Sequence, residues 1–140
     1  MQIRSFEDID EEAVVALWSR CGLLRPWNDP HEDIARKRRV QRELFLVGKI
    51  DDKLVASVMA GYDGHRGWIN YLAVDPLFQR RGIGRALMEE ATHRLQSLGC
   101  SKINLQIRRE NVEAVAFYER IGFSEDAALS FGKRLERDDA

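Results

Sequence analysis

Val74-Asp75-Pro76-Leu77-Phe78-Gln79-Arg80-Arg81-Gly82-Ile83-Gly84-Arg85-Ala86-Leu87-Met88 joins two kinds of secondary structure. Upstream, Trp68 to Val74 is β-branched and aromatic and is bounded by Gly67 and Pro76, which predicts a strand. Downstream, Ile83, Leu87, Ala91 and Leu95 recur near helical spacing until Gly99, which predicts a helix and its stop. Between them lie Gln79, two arginines and two glycines. Glycine lets backbone N–H groups approach a ligand, and a helix start leaves N–H groups unpaired. Their partial positive charge, with the arginines, suits a phosphate or pyrophosphate. The stretch therefore predicts a strand–loop–helix phosphate cradle.

Working outward, the whole chain sets limits on what the cradle serves. Its 140 residues predict one domain, 1–140, with room for a real core. It is 44% hydrophobic and 32% charged, with a net charge of -1, so bulk electrostatics call for neither nucleic acid nor an anionic membrane. No apolar run approaches the roughly 20 residues of a membrane span. Met1 to Phe6 lacks the apolar core of a signal peptide, so a cytoplasmic location is expected. Cys21 and Cys100 have no CxxC partner and read as reduced thiols.

In chain order, Met1 to Phe6 predicts a short strand. A helix follows with Val14, Leu17, Trp18 and Cys21 as its apolar stripe, ended by Gly22. Leu23 to Pro30 reads as a loop, and a second helix starts near His31. Within it Arg36-Lys37-Arg38-Arg39 could contact nucleic acid, but the acidic neighbours Glu32, Asp33 and Glu43 favour a solvated helix face. Three strands follow as a meander: Leu44 to Ile50, Leu54 to Tyr62 and Trp68 to Val74. After the long helix, Ser101 to Arg108 alternates as a strand. A strand, a helix and a further strand imply a right-handed crossover with parallel neighbours. Asn111 opens another helix that ends at Gly122. Phe123-Ser124 and Leu129 to Leu135 read as two last strands, and Glu136 to Ala140 as a fraying charged tail. The predicted order βααβββαβαββ is one mixed α/β domain.

At this point the residues carry a resemblance. Gln79-Arg80-Arg81-Gly82-Ile83-Gly84 resembles the (Gln/Arg)-x-x-Gly-x-(Gly/Ala) acetyl-CoA motif of the GNAT superfamily of N-acetyltransferases. Asn111, followed by Ala114-Val115-Ala116-Phe117-Tyr118-Glu119-Arg120-Ile121-Gly122-Phe123, is similar to its second motif. A closer resemblance is to the bacterial YpeA-type acetyltransferases, carried by Leu23 to Pro30, Gly61 to Gly67 and Gly132 to Leu135. The resemblance implies a mostly antiparallel central sheet with a parallel βαβ crossover at the CoA site and helices on both faces. It implies acetyl-CoA as the donor, no metal, and an amine acceptor that the sequence does not name. A dinucleotide site of GxGxxG type is disfavoured, because Arg85-Ala86-Leu87 supplies no third glycine.

The resemblance also distributes roles. Backbone amides from Arg81 to Arg85, with Gln79, Arg80, Gly82, Ile83 and Gly84, would hold the pyrophosphate. Leu72, Ala73 and Val74 would meet the thioester and pantetheine through their backbone, one N–H polarising the thioester carbonyl. Phe117, Tyr118 and Asn111 would complete the CoA site, Asn111 also serving as a helix cap. Tyr118 resembles the general acid, since a phenol of pKa ≈ 10 is protonated at neutral pH and can donate to a thiolate; otherwise it only packs. Some members carry a glutamate base on the strand before the glycine loop, but Trp68 to Val74 holds no carboxylate. Asn70 or Tyr71 holding a water, His65 or Asp63 would be substitutes. The acceptor pocket is expected between the Arg25–Pro30 loop and the Tyr62–Arg66 turn, with Arg25, Trp27, Tyr62, Asp63 and Tyr71 as substrate contacts; alternatively the Pro-Trp segment is a packed surface loop. The function expected is transfer of an acetyl group to a primary amine by direct attack in a ternary complex. The alternative is a CoA-binding sensor with little catalysis. The partners expected are acetyl-CoA and an amine, with no nucleic acid and no membrane, and in similar proteins the last strands often build a homodimer.

Overall fold

The computed structural model describes residues 1–138. Five strands form one sheet in chain order: β1 (Gln2–Ser5), β2 (Phe45–Ile50), β3 (Lys53–Tyr62), β4 (Gly67–Val74) and β5 (Ile103–Leu105). All neighbours are antiparallel except β4 and β5. The helices are α1 (Glu11–Arg20), α2 (Pro30–Arg38), α3 (Ile83–Ser97) and α4 (Val112–Arg120). Helix α3 is the crossover that makes β4 and β5 parallel, as a strand–helix–strand unit requires.

The strands' period of two divides the core between the two faces. On β2, Leu46 enters a cluster with Ile83, Leu87, Ala91 and Leu95 of α3. Its neighbours Phe45 and Val47 enter a second cluster with Val14, Leu17 and Trp18 of α1 and Ile34 of α2. Both helices bury the stripes their sequences predict, while α4 adds Phe117, Tyr118 and Ile121 to the α3 face. Gly22 (φ 69°) and Gly99 (φ 92°) stop α1 and α3 in the left-handed conformation that glycine adopts at little cost.

β4 breaks its own alternation. Ile69 packs on the α3 face, so Tyr71, two residues on, should do the same; instead it joins the α1 face. Tyr71 has φ 54°, and the register with β3 slips between Ser57 and Met59. One extra residue on β4 makes a β-bulge that reverses the facing of everything after it. The cost is a non-glycine residue in the left-handed region, of order 1–3 kcal/mol, which surrounding contacts must offset.

The first departure from expectation is the length of β5. The strand predicted over Ser101 to Arg108 pairs only as Gly67↔Ile103, Trp68↔Asn104 and Ile69↔Leu105. Beyond Ile69, β4 and β5 share no ladder, so the sheet is open on that side of Asn70–Val74. The strands predicted at Phe123-Ser124 and Leu129–Leu135 do not form. A strand needs an edge to pair with, and β5 is only three residues long. The segment runs past β5 on side-chain contacts instead, Lys102 to Asp126 at 2.9 Å and Gln106 to Ser130. Leu129, Phe131 and Leu135 stay exposed.

The tail is also not frayed where it is described. Asp138, with a 3% exposed side chain, accepts from the N–H of Asp29 at 3.0 Å and from Arg36 at 2.6 Å. Asp139 and Ala140 lie outside the described residues. The basic run of α2 is not simply a solvated face. Arg36 pairs with Asp33 and Asp138, Lys37 Nζ donates to the Ala60 carbonyl at 2.5 Å, and Arg38 pairs with Glu11 and Asp8. Those charges are spent within the molecule. Among the described residues, no helix is long and apolar enough to cross a membrane.

Candidate active site

The loop between β4 and α3 is held from below. Asp75, 2% exposed, donates its N–H to Val55 at 2.8 Å. Its carboxylate accepts from the Leu77 N–H at 2.9 Å and from Arg20 at 2.9 Å. The Leu77 N–H, with help from Arg20, holds the Asp75 carboxyl below its ordinary range, so it stays an anion at neutral pH. Above this anchor, Gln79 folds back to donate to the Val74 carbonyl at 3.1 Å. Arg81 lies over the Phe78 ring at 5.0 Å, opposed by Lys53 at 5.3 Å.

The backbone then turns through two left-handed residues, Arg80 (φ 64°) and Gly82 (φ 78°). The first hydrogen bond of α3 runs from Ala86 N to Gly82 O at 3.0 Å. The N–H groups of Arg81, Gly82, Ile83, Gly84 and Arg85 donate to no group among the described residues. They are five donors at the positive end of a 15-residue helix, beside the exposed side chains of Arg80, Arg81 and Arg85. The two glycines differ in purpose. A Cβ at Gly82 would meet nothing within 4 Å, so its requirement is conformational. A Cβ at Gly84 would lie 3.3 Å from Phe117 Cζ and 3.6 Å from Val74 Cγ2, so its requirement is the packing of α4 onto the loop.

Leu72, Ala73 and Val74 run along the open side of β4. Phe117 and Tyr118 pack edge to face, 5.1 Å apart at 76°, and Phe123 closes on Tyr118 at 5.5 Å. Burial pushes the Tyr118 phenol up to about 12, and its hydroxyl has no hydrogen-bond partner among the described residues. It is therefore a protonated donor with its proton uncommitted. Asn111 caps α4, accepting from the Ala114 N–H at 3.1 Å.

The predicted acceptor contacts divide. Trp27, 42% exposed, lies under the Arg108 guanidinium at 5.5 Å, and Tyr71 stands on the same α1 face of the sheet as the loop that carries Trp27. Arg25 is spent on its own loop, donating to the carbonyls of Gly22 and Leu24. Tyr62 and Asp63 sit at the other end of β4, and the structure does not bring their turn to the Arg25–Pro30 loop. Tyr62 packs on the α3 face, with its hydroxyl directed at the carbonyls of Gly64 and Gly99. Asp63 accepts from the N–H groups of His65 and Arg66 and from the Trp68 indole. Those backbone hydrogen bonds hold its carboxyl below the ordinary range, as a turn-forming acceptor. His65 is exposed in that turn. Burial raises the Cys21 thiol, which makes it a poor nucleophile, and Cys100 donates to the Lys102 carbonyl.

Sequence reading missed Trp18, Asp33, Ser57 and Asp138 as neighbours of this site. The Trp18 indole stacks on Tyr71 at 3.9 Å and donates to Ser57 Oγ at 2.9 Å. The Tyr71 hydroxyl donates to Asp33 Oδ2 at 2.6 Å. The tail is tied to α2 through Arg36, and beside it Arg36, Lys133, Arg134 and Glu136 line an open depression of about 580 Å³. Asp33 looks like any first-turn acid of a helix, and no local signal marks it.

The profile of the Acetyltransferase (GNAT) family matches residues 7–123. This chain belongs to the GNAT acetyltransferase family. It is 46% identical, over 99% of its length and 98% of the relative's, to Acetyltransferase ECA0875 of Pectobacterium atrosepticum. Among solved structures it is similar to the ribosomal-protein-S18-alanine N-acetyltransferase of Escherichia coli, with a TM-score of 0.75 and 27% identity over 89% of this chain and 78% of that one. It is also similar to Ard1 of Thermoplasma volcanium, with a TM-score of 0.77 and 25% identity over 90% and 84%. PaiA N-acetyltransferase of Thermoplasma acidophilum, solved with coenzyme A, shares the fold at a TM-score of 0.70 and 18% identity over 91% of each chain. GNAT enzymes take acetyl-CoA as donor, and the five free N–H groups running from the loop into the first turn of α3 fit a pyrophosphate.

Proposed function

We propose that this acetyltransferase moves the acetyl group of acetyl-CoA to a primary amine by direct attack. The observation that carries the proposal is the placement of the free N–H groups of Arg81–Arg85 beside the open side of β4, with the uncommitted Tyr118 hydroxyl on the same face. Arg81 to Arg85 hold the pyrophosphate, and Leu72 to Val74 present backbone donors toward the thioester. Tyr118 gives its proton to the departing thiolate. A phenol raised by burial does not ionise at neutral pH, which keeps that proton available. Direct attack fits the cysteines, because Cys21 is raised by burial and hydrogen-bonded to Val74 at 3.3 Å. The kinship to YpeA-type acetyltransferases belongs to this proposal and narrows the acceptor no further.

Tyr118→Phe tests the acid. Replacing the hydroxyl is expected to lower kcat by about 10²-fold while the CoA affinity, read by calorimetry, is unchanged. Unaltered turnover would remove Tyr118 from the chemistry. CoA binding without thiol release by the wild type, across small amines, lysine and peptide N-termini, would make the protein a sensor instead.

A further inference from the structure

Resting on that reading, we propose that Asp33 is the positioning residue for Tyr71, and that the pair orients the attacking amine and removes its proton. The strand that carries the base in some GNAT enzymes has no carboxylate here. Helix α2 supplies one to the same strand from outside it.

The segment from Trp27 to Asp33 touches both lips of the opening in the sheet. Trp27 meets Arg108, three residues beyond β5, and Asp33 meets Tyr71, two residues beyond the last residue of β4 that pairs with β5. Tyr71 is held at three points. Its ring stacks on the fully buried Trp18, 3.9 Å away and 10° from parallel. Its carbonyl accepts from Ser57 Oγ at 3.4 Å. Its hydroxyl donates to Asp33 Oδ2 at 2.6 Å. Such over-determination is what a left-handed non-glycine residue requires, and it leaves the phenol one orientation.

The consequence is chemical. The proton of the Tyr71 hydroxyl is committed to Asp33, so the lone pairs of its oxygen are what it offers to anything entering the opening. An amine N–H is the matching donor. The other carboxylate oxygen of Asp33 takes Arg36 Nη1 at 3.0 Å. Arg36 in turn holds Asp138 at 2.6 Å and faces Glu136 at 3.8 Å. This arrangement holds the Asp33 carboxylate in place, pointed at the phenol. Burial, and then the Asp33 hydrogen bond, raise the Tyr71 phenol well above its ordinary range, so it works as a neutral relay and not as a phenolate. The Asp33 side chain is 21% exposed, so the pair lies at the surface of the α1 face.

The proton balance closes. The amine nitrogen bonds to the thioester carbonyl carbon and becomes positively charged. Its proton passes to the Tyr71 oxygen as the Tyr71 proton passes to Asp33. The carbon–sulfur bond breaks, and the thiolate takes the proton of Tyr118 from the opposite face. Asp33 then loses its proton to water, and Tyr118 regains one.

Asp33→Asn, Tyr71→Phe and the double variant test the pair, with thiol release measured against ethanolamine, free lysine and an alanine-terminated peptide. Each single variant is expected to lose about 10²-fold in kcat with CoA affinity within twofold of wild type. The double variant is expected to lose no more than either, because two members of one relay are not additive. Asp33→Glu is expected to recover part of the loss. Tyr71→Phe keeps the stacked ring, so it reports even where Asp33→Asn folds poorly. Wild-type kcat in either single variant, fully additive losses, or a parallel fall in CoA affinity would overturn the pair and leave the transferase reading standing. Absence of turnover by the wild type with all three amines would overturn both.

Discussion

On the α3 face, the groups that approach the opening of the sheet are near neighbours in sequence. Gln79 to Arg85 form one loop and the first turn of α3, and Asn111 to Phe123 form one helix with its cap and its exit. On the α1 face they come from everywhere: Trp18 from α1, Asp33 from α2, Ser57 from β3, Tyr71 from β4 and Asp138 from the tail. The first face offers free N–H groups through backbone geometry that a short motif encodes. The second works through side chains that meet only after the chain has folded. The comparison teaches that the glycine-loop side, proposed to take the donor, can be read locally, whereas the side proposed to take the acceptor is a property of packing.

Three changes break or sharpen that contrast. Trp18→Ala should be the most severe, at about 3–5 kcal/mol of stability, because it empties a core site and removes the stacking partner of Tyr71. Urea unfolding reads that loss. The protein that remains folded should still bind CoA, and loss of CoA binding in step with stability would show that the faces are not separable. Gly84→Val should cost about 1–3 kcal/mol by overpacking Phe117. CoA affinity by calorimetry should fall, while the short hydrogen bond of Tyr71 to Asp33 persists in a structure of the variant. Retained affinity would mean that α4 tolerates displacement from the loop.

The smallest effect tests how the tail is attached. Arg36, with the Asp29 N–H, depresses the Asp138 carboxyl to about 2 from an ordinary 3.8. A depressed carboxylate contributes stability that is complete above its unfolded pKa of about 4 and disappears as pH falls through the folded value. Melting temperatures of wild type and Asp138→Asn should therefore differ by a constant small amount at pH 5–7 and converge between about pH 4 and pH 2. Equal melting at pH 7 would mean that the tail contact does not contribute in solution.

Much of the architecture was legible. The stripes Val14–Leu17–Trp18 and Ile83–Leu87–Ala91–Leu95 are buried as their spacing requires, and the meander and crossover follow. The alternation of Leu129, Phe131 and Leu135 misled, because an alternating segment is a strand only where an edge exists to pair with it. Arg36 to Arg38 misled for a related reason: a run of charge looks solvated until its partners, Asp138, Ala60 and Glu11, are known. Asp63 looked like a site acid because turn-forming and ligand-binding carboxylates look alike in sequence.

By itself, then, the stretch around Val74 to Met88 determined that this protein has a strand, a glycine-containing loop and a helix start with free N–H groups. Those depend on backbone conformation, which residues a few positions apart control. Only the tertiary structure decided that Gly84 serves Phe117, that β4 reverses its facing at Tyr71, and that Asp33 stands 2.6 Å from the phenol. Such contacts join residues dozens of positions apart, and long-range packing leaves no periodic trace in the chain.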